Sequence, residues 1–334
     1  MKKRIAPLAI LVAALLATAA CGGNATPAPA GASAGAAPTK VTLTLNWVPY
    51  GEHAPFYYGV KKGFYKAEGI DLTIKAGTGS GTTIQQVDQK NTTFGWADTP
   101  VLLNSVSKGL KVKSLGVFLQ KGPSSIEYLA DHGINSPADL KGKKIGGTVG
   151  DALYATFPAW LKANGLSPSD VTVVNLDAAG KIAALAEGRV DAIMGFFHDQ
   201  GPTIEGKTGK TVKYFLYADY GMNMLGTGIV ANTDAVTQNP DLAKRFVRAT
   251  QKSWAEAAKD IPGAVDAMIG MAPNEPPKNV LTKQLTLCLP LLGTGTPGVD
   301  NEADWTNTVN LMSKYSTLKN PGAPSTYWDN TYAK

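Results

Sequence analysis

The chain has 334 residues, 44% of them hydrophobic and 17% charged, the balance of an ordinary globular protein. Its 32 Lys and Arg against 26 Asp and Glu give a formal charge of +6, scattered along the chain, with no run that mixes Arg and aromatics as a nucleic-acid groove would. Three His and two Cys, with no HxxxH, CxxC or carboxylate-rich spacing, argue against a metal site.

Chain order begins with Lys2, Lys3 and Arg4, followed by the apolar run "IAPLAILVAALLATAA" and Cys21. A membrane-spanning helix needs about 20 apolar residues and different flanks, so residues 1–20 are expected to be a secretory signal. Cys21 after small residues resembles a bacterial lipobox, in which the Cys is acylated and becomes the new N-terminus. Thr18 departs from the Leu usual three places before that Cys; the alternative is ordinary cleavage with Cys21 left as a free thiol. "GGNATPAPAGASAGAAPTK" then offers almost no side chain for a core, which makes residues 21–40 a lipid-bearing, flexible tether. With Cys21 committed to lipid, Cys288 has no disulfide partner within the chain.

From Val41 onward, short β-branched runs alternate with amphipathic stretches. Expected strands are "VTLTLNW", "IDLTIKAG", "TTFGWAD", "KVKSLGVFLQ", "IEYLAD", "KKIGGTV", "VTVVNLD", "VDAIMGF", "VKYFLYAD" and "GTGIVAN". Helices are expected over "APFYYGVKKGFYKAEG", "GTTIQQVDQK", "TPVLLNSVSKG", "YATFPAWLKANG" and "AGKIAALAEGR". Such alternation implies an α/β fold with mostly parallel sheets flanked by helices. The grammar repeats: "IQQVDQKNTTFGWAD" and "IAALAEGRVDAIMGF" each run helix, polar turn, strand ending in aromatics. Two lobes follow, residues 41–130 with 220–334 forming the first and 131–219 the second. The C-terminal third reads as helices that return to pack on the first lobe.

Several strand ends carry chemistry. Asn46, Trp47, His53 and Tyr57 cluster after the first strand, where parallel sheets collect ligands. By pattern alone Trp47 and Tyr57 are core residues, and His53 is a surface or capping residue. "AGTGSGTTIQQ" presents Ser80, Thr82 and helix N-terminal N–H groups; it lacks the last Gly of GxGxxG and the Lys of a phosphate loop, against nucleotide binding. Trp96 and Asp98 end the third strand, Asp98 serving first as a cap for the helix at Thr99-Pro100 and second as a grip for an amino or amidine group. Further on, Gly150, Asp151 and Tyr154 follow one strand, Phe196, Phe197 and His198 end another, and Tyr220 lies where the chain returns.

"LNWVPYGEHAPFYYGVKKGFYKAEGIDLTI", continued by "SPADLKGKKIGGTVGD", "GRVDAIMGFF", "YADYGMN" and "NPDLAKRFVRATQKSWAEA", resembles the periplasmic-binding-protein-like family that binds thiamine-pyrimidine precursors, riboflavin, sulfonates or nitrate for ABC importers. The resemblance spans nearly all of the chain after the tether. It implies a two-lobe type II clamp with the ligand cleft between lobes, no cofactor, no catalysis, and a monomer held outside the membrane by lipid beside its permease and ATPase. It also makes Trp47 a stacking face and His53 a cleft residue. Where the pyrimidine-binding branch carries Trp-Asn-Tyr-Glu, this chain has "FFHDQG", moving the carboxylate to Asp199. Aromatic walls imply a flat, partly polar ligand, and the absence of Arg from the expected cleft loops argues against sulfonate or nitrate. Pyrimidine synthases related to this family carry a Cys-rich segment that this chain lacks.

Overall fold

A computed structural model describes residues 37–315, 318 and 321–333; the expected signal segment, Cys21 and most of the tether lie outside the described residues. Among the described residues, ten strands form two five-stranded sheets. They are β1 (Thr39–Thr44), β2 (Ile70–Lys75), β3 (Phe94–Asp98), β4 (Val112–Val117), β5 (Ser124–Leu129), β6 (Lys144–Gly147), β7 (Thr172–Asn175), β8 (Ala192–Phe196), β9 (Val212–Leu216) and β10 (Thr227–Asn232). Each falls within or overlaps a run expected from sequence.

The first sheet has the order β2-β1-β3-β10-β4 and the second β7-β6-β8-β5-β9. In each, three strands pair in parallel, a fourth runs the same way at the far edge, and one opposes them. The opposing strand is in both cases the one that enters from the other sheet, β10 in the first and β5 in the second. Repetition of helix–strand grammar in the sequence therefore reflects two copies of one topology.

β5 corrects the expected lobe boundary. Ser124–Leu129 pairs antiparallel with β8 and β9, so this strand belongs to the second sheet and the first crossing lies within residues 118–123, ahead of residue 130. The return crossing occupies residues 217–226, between β9 and β10.

Helix boundaries follow local chemistry. Gly63, at φ +74°, splits the single helix expected over 54–69 into Ala54–Lys61 and Phe64–Ala67. Asn239 caps Pro240–Ala257 through Leu242 N–H, and Asp260 caps Ile261–Met268 through Gly263 N–H. Gln200–Thr208 is a helix beyond those expected from sequence. Pro202 sits in the first turn, where its missing N–H would have had no helical partner.

The first lobe's core stacks aromatics from sheet and helix. Trp96 lies on Trp254 at 5.4 Å between ring centroids, and Phe94 on Phe246 at 4.1 Å. The C-terminal helices do not keep to the first lobe. Lys278–Cys288 packs on both the Gly51–His53 turn and Gln200–Thr208, and Glu302–Tyr315 packs on Ala152–Ala163.

Candidate functional site

Chain leaving β1 turns at once into the space between the sheets. Asn46, Trp47 and Tyr50 face a cavity there, joined by Gly79 and Ser80 beyond β2 and by Asp98 at the end of β3. The second sheet contributes Asp151, Ala152 and Leu153 beyond β6, with Gly195, Phe196, Asp199 and Gln200 at and after the end of β8. Lys181, on the helix Ala178–Ala186, completes the wall. The cavity thus lies beyond the carboxyl ends of strands from both sheets and holds about 330 Å³ of empty space, counting its open mouth.

Charge in this cavity is mostly acidic. Asp98 occupies the cap position before Thr99–Ser107 but makes no cap bond; instead it accepts a short hydrogen bond from the Ser80 hydroxyl, which in turn accepts from Asp98 N–H at 3.1 Å. Capping, expected as its first role, is therefore replaced by a tie to the other loop. Burial pushes its carboxyl up to about 7, with the charges of Glu52 and Asp151 adding and Ser80 and Asn46 opposing. Asp199 is likewise raised to about 7 by burial, against the pull of Lys181. It accepts from the Gln200 amide at 2.5 Å and the Gln284 amide at 3.1 Å.

One cation answers these acids. The Lys181 side chain is 1% exposed; its Nζ donates to the Met194 carbonyl at 2.9 Å and to Asp151 Oδ2 at 3.3 Å, and lies 5.1 Å from the centre of the Trp47 ring. Asp151 also caps its helix through Tyr154 N–H at 2.7 Å. Both partners are thus occupied before any ligand arrives.

Behind the cavity sits a buried polar hub. Glu52 Oε2 accepts from the Tyr50 hydroxyl at 2.5 Å and from His198 Nε2 at 2.8 Å, while Oε1 accepts from Trp96 Nε1 at 2.6 Å and the Thr227 hydroxyl at 2.9 Å. Burial alone would raise this carboxyl; hydrogen bonding and charge from His198, with His53 and Tyr50, outweigh it and hold it near 2. His53 accepts from Tyr50 N–H at Nδ1, which leaves Nε2–H to donate to Asn46 Oδ1 at 2.9 Å. Burial lowers this imidazole to about 4 and keeps it neutral. Glu52, His198 and Cys288 place ligand-type atoms within 4.8 Å of one another. Four donors already fill the Glu52 lone pairs, so the trio suits a hydrogen-bonded hub better than a metal ion.

At the mouth the lobes touch through glycines. Gly81 N–H donates to the Gly150 carbonyl at 3.3 Å, and a Cβ on Gly79, whose φ is +139°, would lie 2.9 Å from that oxygen.

Of the residues expected at the site, Asn46, Trp47, Ser80, Asp98 and Phe196 line the cavity. His53 stands one shell back, orienting Asn46. Trp96 is core, its ring on Trp254 and its N–H on Glu52. Tyr57 packs away from the cavity among Ala264, Val265 and Leu281. Thr82, on the helix Ser80–Asp88, is exposed and off the wall. Tyr154 packs against the core beside Gly147, and Phe197 sits 4.9 Å from the Tyr214 ring. Tyr220 packs edge-on to Trp160 and Phe215 in the return crossing. Of these aromatics only Trp96 lies on a strand; Tyr57 and Tyr154 sit on the helices Ala54–Lys61 and Ala152–Ala163 and Tyr220 in the turn Tyr217–Tyr220, where they meet neighbouring elements instead of the cavity. Tyr50, Lys181, Gln200 and the Glu52 hub were missed; a lone Lys in the otherwise apolar "AGKIAALA" was the available signal for Lys181.

Two sheets of this topology around an inter-lobe cavity make the two-lobe fold that periplasmic binding proteins share. Residues 51–276 match the family described as NMT1/THI5 like, and the chain belongs to that family. It is 29% identical over 282 residues to the riboflavin-binding protein RibY of Chloroflexus aurantiacus, covering 82% of this chain and 79% of that one. A 4-amino-5-hydroxymethyl-2-methylpyrimidine phosphate synthase of Legionella pneumophila is 28% identical over 224 residues, covering 65% and 69%. In fold the chain is similar to the periplasmic aliphatic sulphonate binding protein SsuA of Escherichia coli, with a TM-score of 0.66 at 13% identity, covering 89% of this chain and 100% of that one.

Proposed function

We propose that this protein is the extracytoplasmic receptor of an ABC importer, closing its lobes around a small, flat heterocycle that carries amino or amidine donors. Residues 1–20 would direct export, and acylated Cys21 with its tether would hold the monomeric clamp beside its permease and ATPase. Lobes would divide in sequence near the two crossings, residues 118–123 and 217–226.

The observation that carries this reading is the cavity's mixture of faces and charges. Trp47 and Tyr50 from one lobe and Phe196 from the other offer aromatic surface, while Asp98 and Asp199 offer acceptors. A sulfonate or nitrate needs cationic donors, yet the one cationic side chain on the wall, Lys181, is already held by Asp151 and Met194. Above pH 7, where Asp98 and Asp199 are mostly ionised, an anion would also meet two carboxylates. A synthase-like activity is the second reading, raised by the 28% identity to the Legionella enzyme. Against it, this chain has two Cys in all and no Cys-rich segment.

A thermal-shift screen against aminopyrimidines, flavins, aromatic acids, alkanesulfonates and nitrate tests the reading. Ligand at about 100 times its dissociation constant adds roughly 2.7 kcal/mol, a shift of several degrees. We expect the shift with donor-bearing rings and its loss in Trp47→Ala. A shift with sulfonate or nitrate alone would reverse the ligand class; turnover of an aminopyrimidine precursor would favour the enzyme.

A further inference from the structure

The turn after β1 fixes the polarity of one cavity side chain. Tyr50 N–H lies 3.4 Å from His53 Nδ1, and a backbone N–H can only donate, so Nδ1 accepts. The Tyr50 ring packs edge-on against the imidazole in the same turn, with 4.5 Å between centroids. Burial lowers this imidazole to about 4, so near neutral pH a single ring nitrogen carries hydrogen, and that nitrogen is Nε2.

Nε2 lies 2.9 Å from Asn46 Oδ1 and therefore donates to it. The bond engages the only acceptor atom of the Asn46 side chain and settles which way its amide faces. What remains for the cavity that Asn46 lines is the NH2 group. A second observation agrees. Burial raises the Asp98 carboxyl, and the Asn46 amide is among the hydrogen-bond partners that oppose the rise, which an amide does by donating. Asp98 also takes the Ser80 hydroxyl on Oδ2 and still has lone pairs open to a further donor. A donor and an acceptor thus stand side by side on the first lobe's wall of the cavity.

We propose that His53 is a positioning residue: it commits Asn46 to donating, so that Asn46 and Asp98 together read a cargo edge on which an acceptor adjoins a donor. A ring nitrogen beside an amino group has that edge, and so has a lactam with its carbonyl beside N–H. The proposal rests on the ring-binding role given above to the main cavity and narrows it. An amino group with no acceptor next to it leaves the Asn46 N–H unanswered, and a buried donor left unpaired is costly. His53 touches no cargo; it acts through Asn46.

Calorimetry at pH 8 with 2-aminopyridine and 3-aminopyridine, both neutral there, tests the edge. The two share one formula, and only in the first does the ring nitrogen adjoin the amine. The 2-isomer should bind about tenfold tighter. His53→Leu should abolish that preference, because the Asn46 amide is then free to turn over. His53→Gln should keep it, since its side-chain NH2 can donate in place of Nε2–H. A role in packing alone would weaken both isomers together and leave their ratio unchanged in either variant. Equal affinities in the wild type overturn the proposal and leave the ring site standing. Should neither isomer nor any aminopyrimidine bind, the ring-site reading falls, and long-range 1H–15N spectra of the wild-type imidazoles decide His53 without a ligand. With three histidines in the chain, the rings can be told apart. A neutral His53 ring protonated on Nε2 is expected at pH 7; an Nδ1–H ring or an imidazolium overturns the proposal.

Discussion

Glu52 and His198 meet across the two lobes, with Nε2 of the imidazole 2.8 Å from Oε2 of the carboxylate and both side chains fully buried. Glu52 follows β1, second in its sheet, and His198 follows β8, third in the other, so the contact ties non-equivalent strand ends of the two topological copies. Trp96 and Thr227, also bonded to Glu52, come from the centre of the first sheet. Glu52→Gln keeps the shape but turns an NH2 toward donors, and should cost about 3–5 kcal/mol. Urea unfolding measures it, and a loss below about 1 kcal/mol would mean that the hub carries little of the fold.

Acid should weaken the same hub. The Glu52 carboxyl is depressed from 4.5 to about 2, so its contribution is complete above pH 4.5 and is lost as pH falls from there to 2. The shift corresponds to about 3 kcal/mol. His53, lowered from 6.5 to about 4, adds a loss in the window between those values, because the unfolded imidazole takes its proton first. Stability followed by denaturant titration from pH 7 to 3 should therefore fall in both windows, and Glu52→Gln should flatten the lower one.

Asp98 and Asp199 act in the opposite direction. Each is raised from 3.8 to about 7, so the stability linked to its proton is complete below pH 3.8 and is lost as pH rises through 7. Asp98→Asn should leave the unliganded protein unchanged below pH 3.8, raise its stability by roughly 1.5 kcal/mol at pH 5 and by up to about 4 kcal/mol at pH 8. A ligand that presents donors to these carboxylates should expel their protons, tightening as pH rises through 7. Calorimetry in buffers of different ionisation enthalpy reads the protons released.

Closure at the mouth requires bare backbone. A Cβ on Gly81 would have the Gly150 carbonyl, 3.2 Å away, as its sole neighbour within 4 Å, so the helix Ser80–Asp88 itself accepts a side chain there. Gly81→Leu should fold with an unliganded Tm equal to or above the wild type and hold the lips apart. Affinity should drop at least tenfold, and small-angle scattering in the presence of ligand should retain the larger radius of gyration.

Gln284 brackets the two lobes from the helix Lys278–Cys288. Its Oε1 accepts from Gly51 N–H at 2.9 Å, and its Nε2 lies 3.1 Å from both the Asp199 carbonyl and the Thr203 hydroxyl. Gln284→Ala strands these buried groups and should cost about 2–3 kcal/mol in urea unfolding. Because Asp199 loses a partner, ligand affinity should change as well; unchanged affinity would detach Asp199 from binding.

Much of this was legible in the sequence, for reasons that differ by element. Strands announce themselves by β-branched runs, and the two-copy topology by recurring helix–turn–strand grammar, so the ten described strands were readable. β5 was assigned to the wrong lobe because "IEYLAD" carries no mark of its partner; pairing with β8 and β9 is a long-range choice. Of the cavity's lining, residues at the tips of β1, β3 and β8 were readable from position alone. Trp96 and Phe197 were not separable from Trp47 and Phe196, since alternation along a strand end does not say which face meets the cleft when both are buried. Lys181 and Gln284 reach their places only through tertiary packing.

The central claim is that the inter-lobe cavity selects a donor-bearing ring over an anion. Isothermal titration of the protein with a 4-aminopyrimidine and with an alkanesulfonate, each repeated on Trp47→Ala, tests it most directly. The account predicts saturable binding of the pyrimidine, weakened about tenfold without Trp47, and none of the sulfonate. Tight binding of the sulfonate with no heat from the pyrimidine would contradict it.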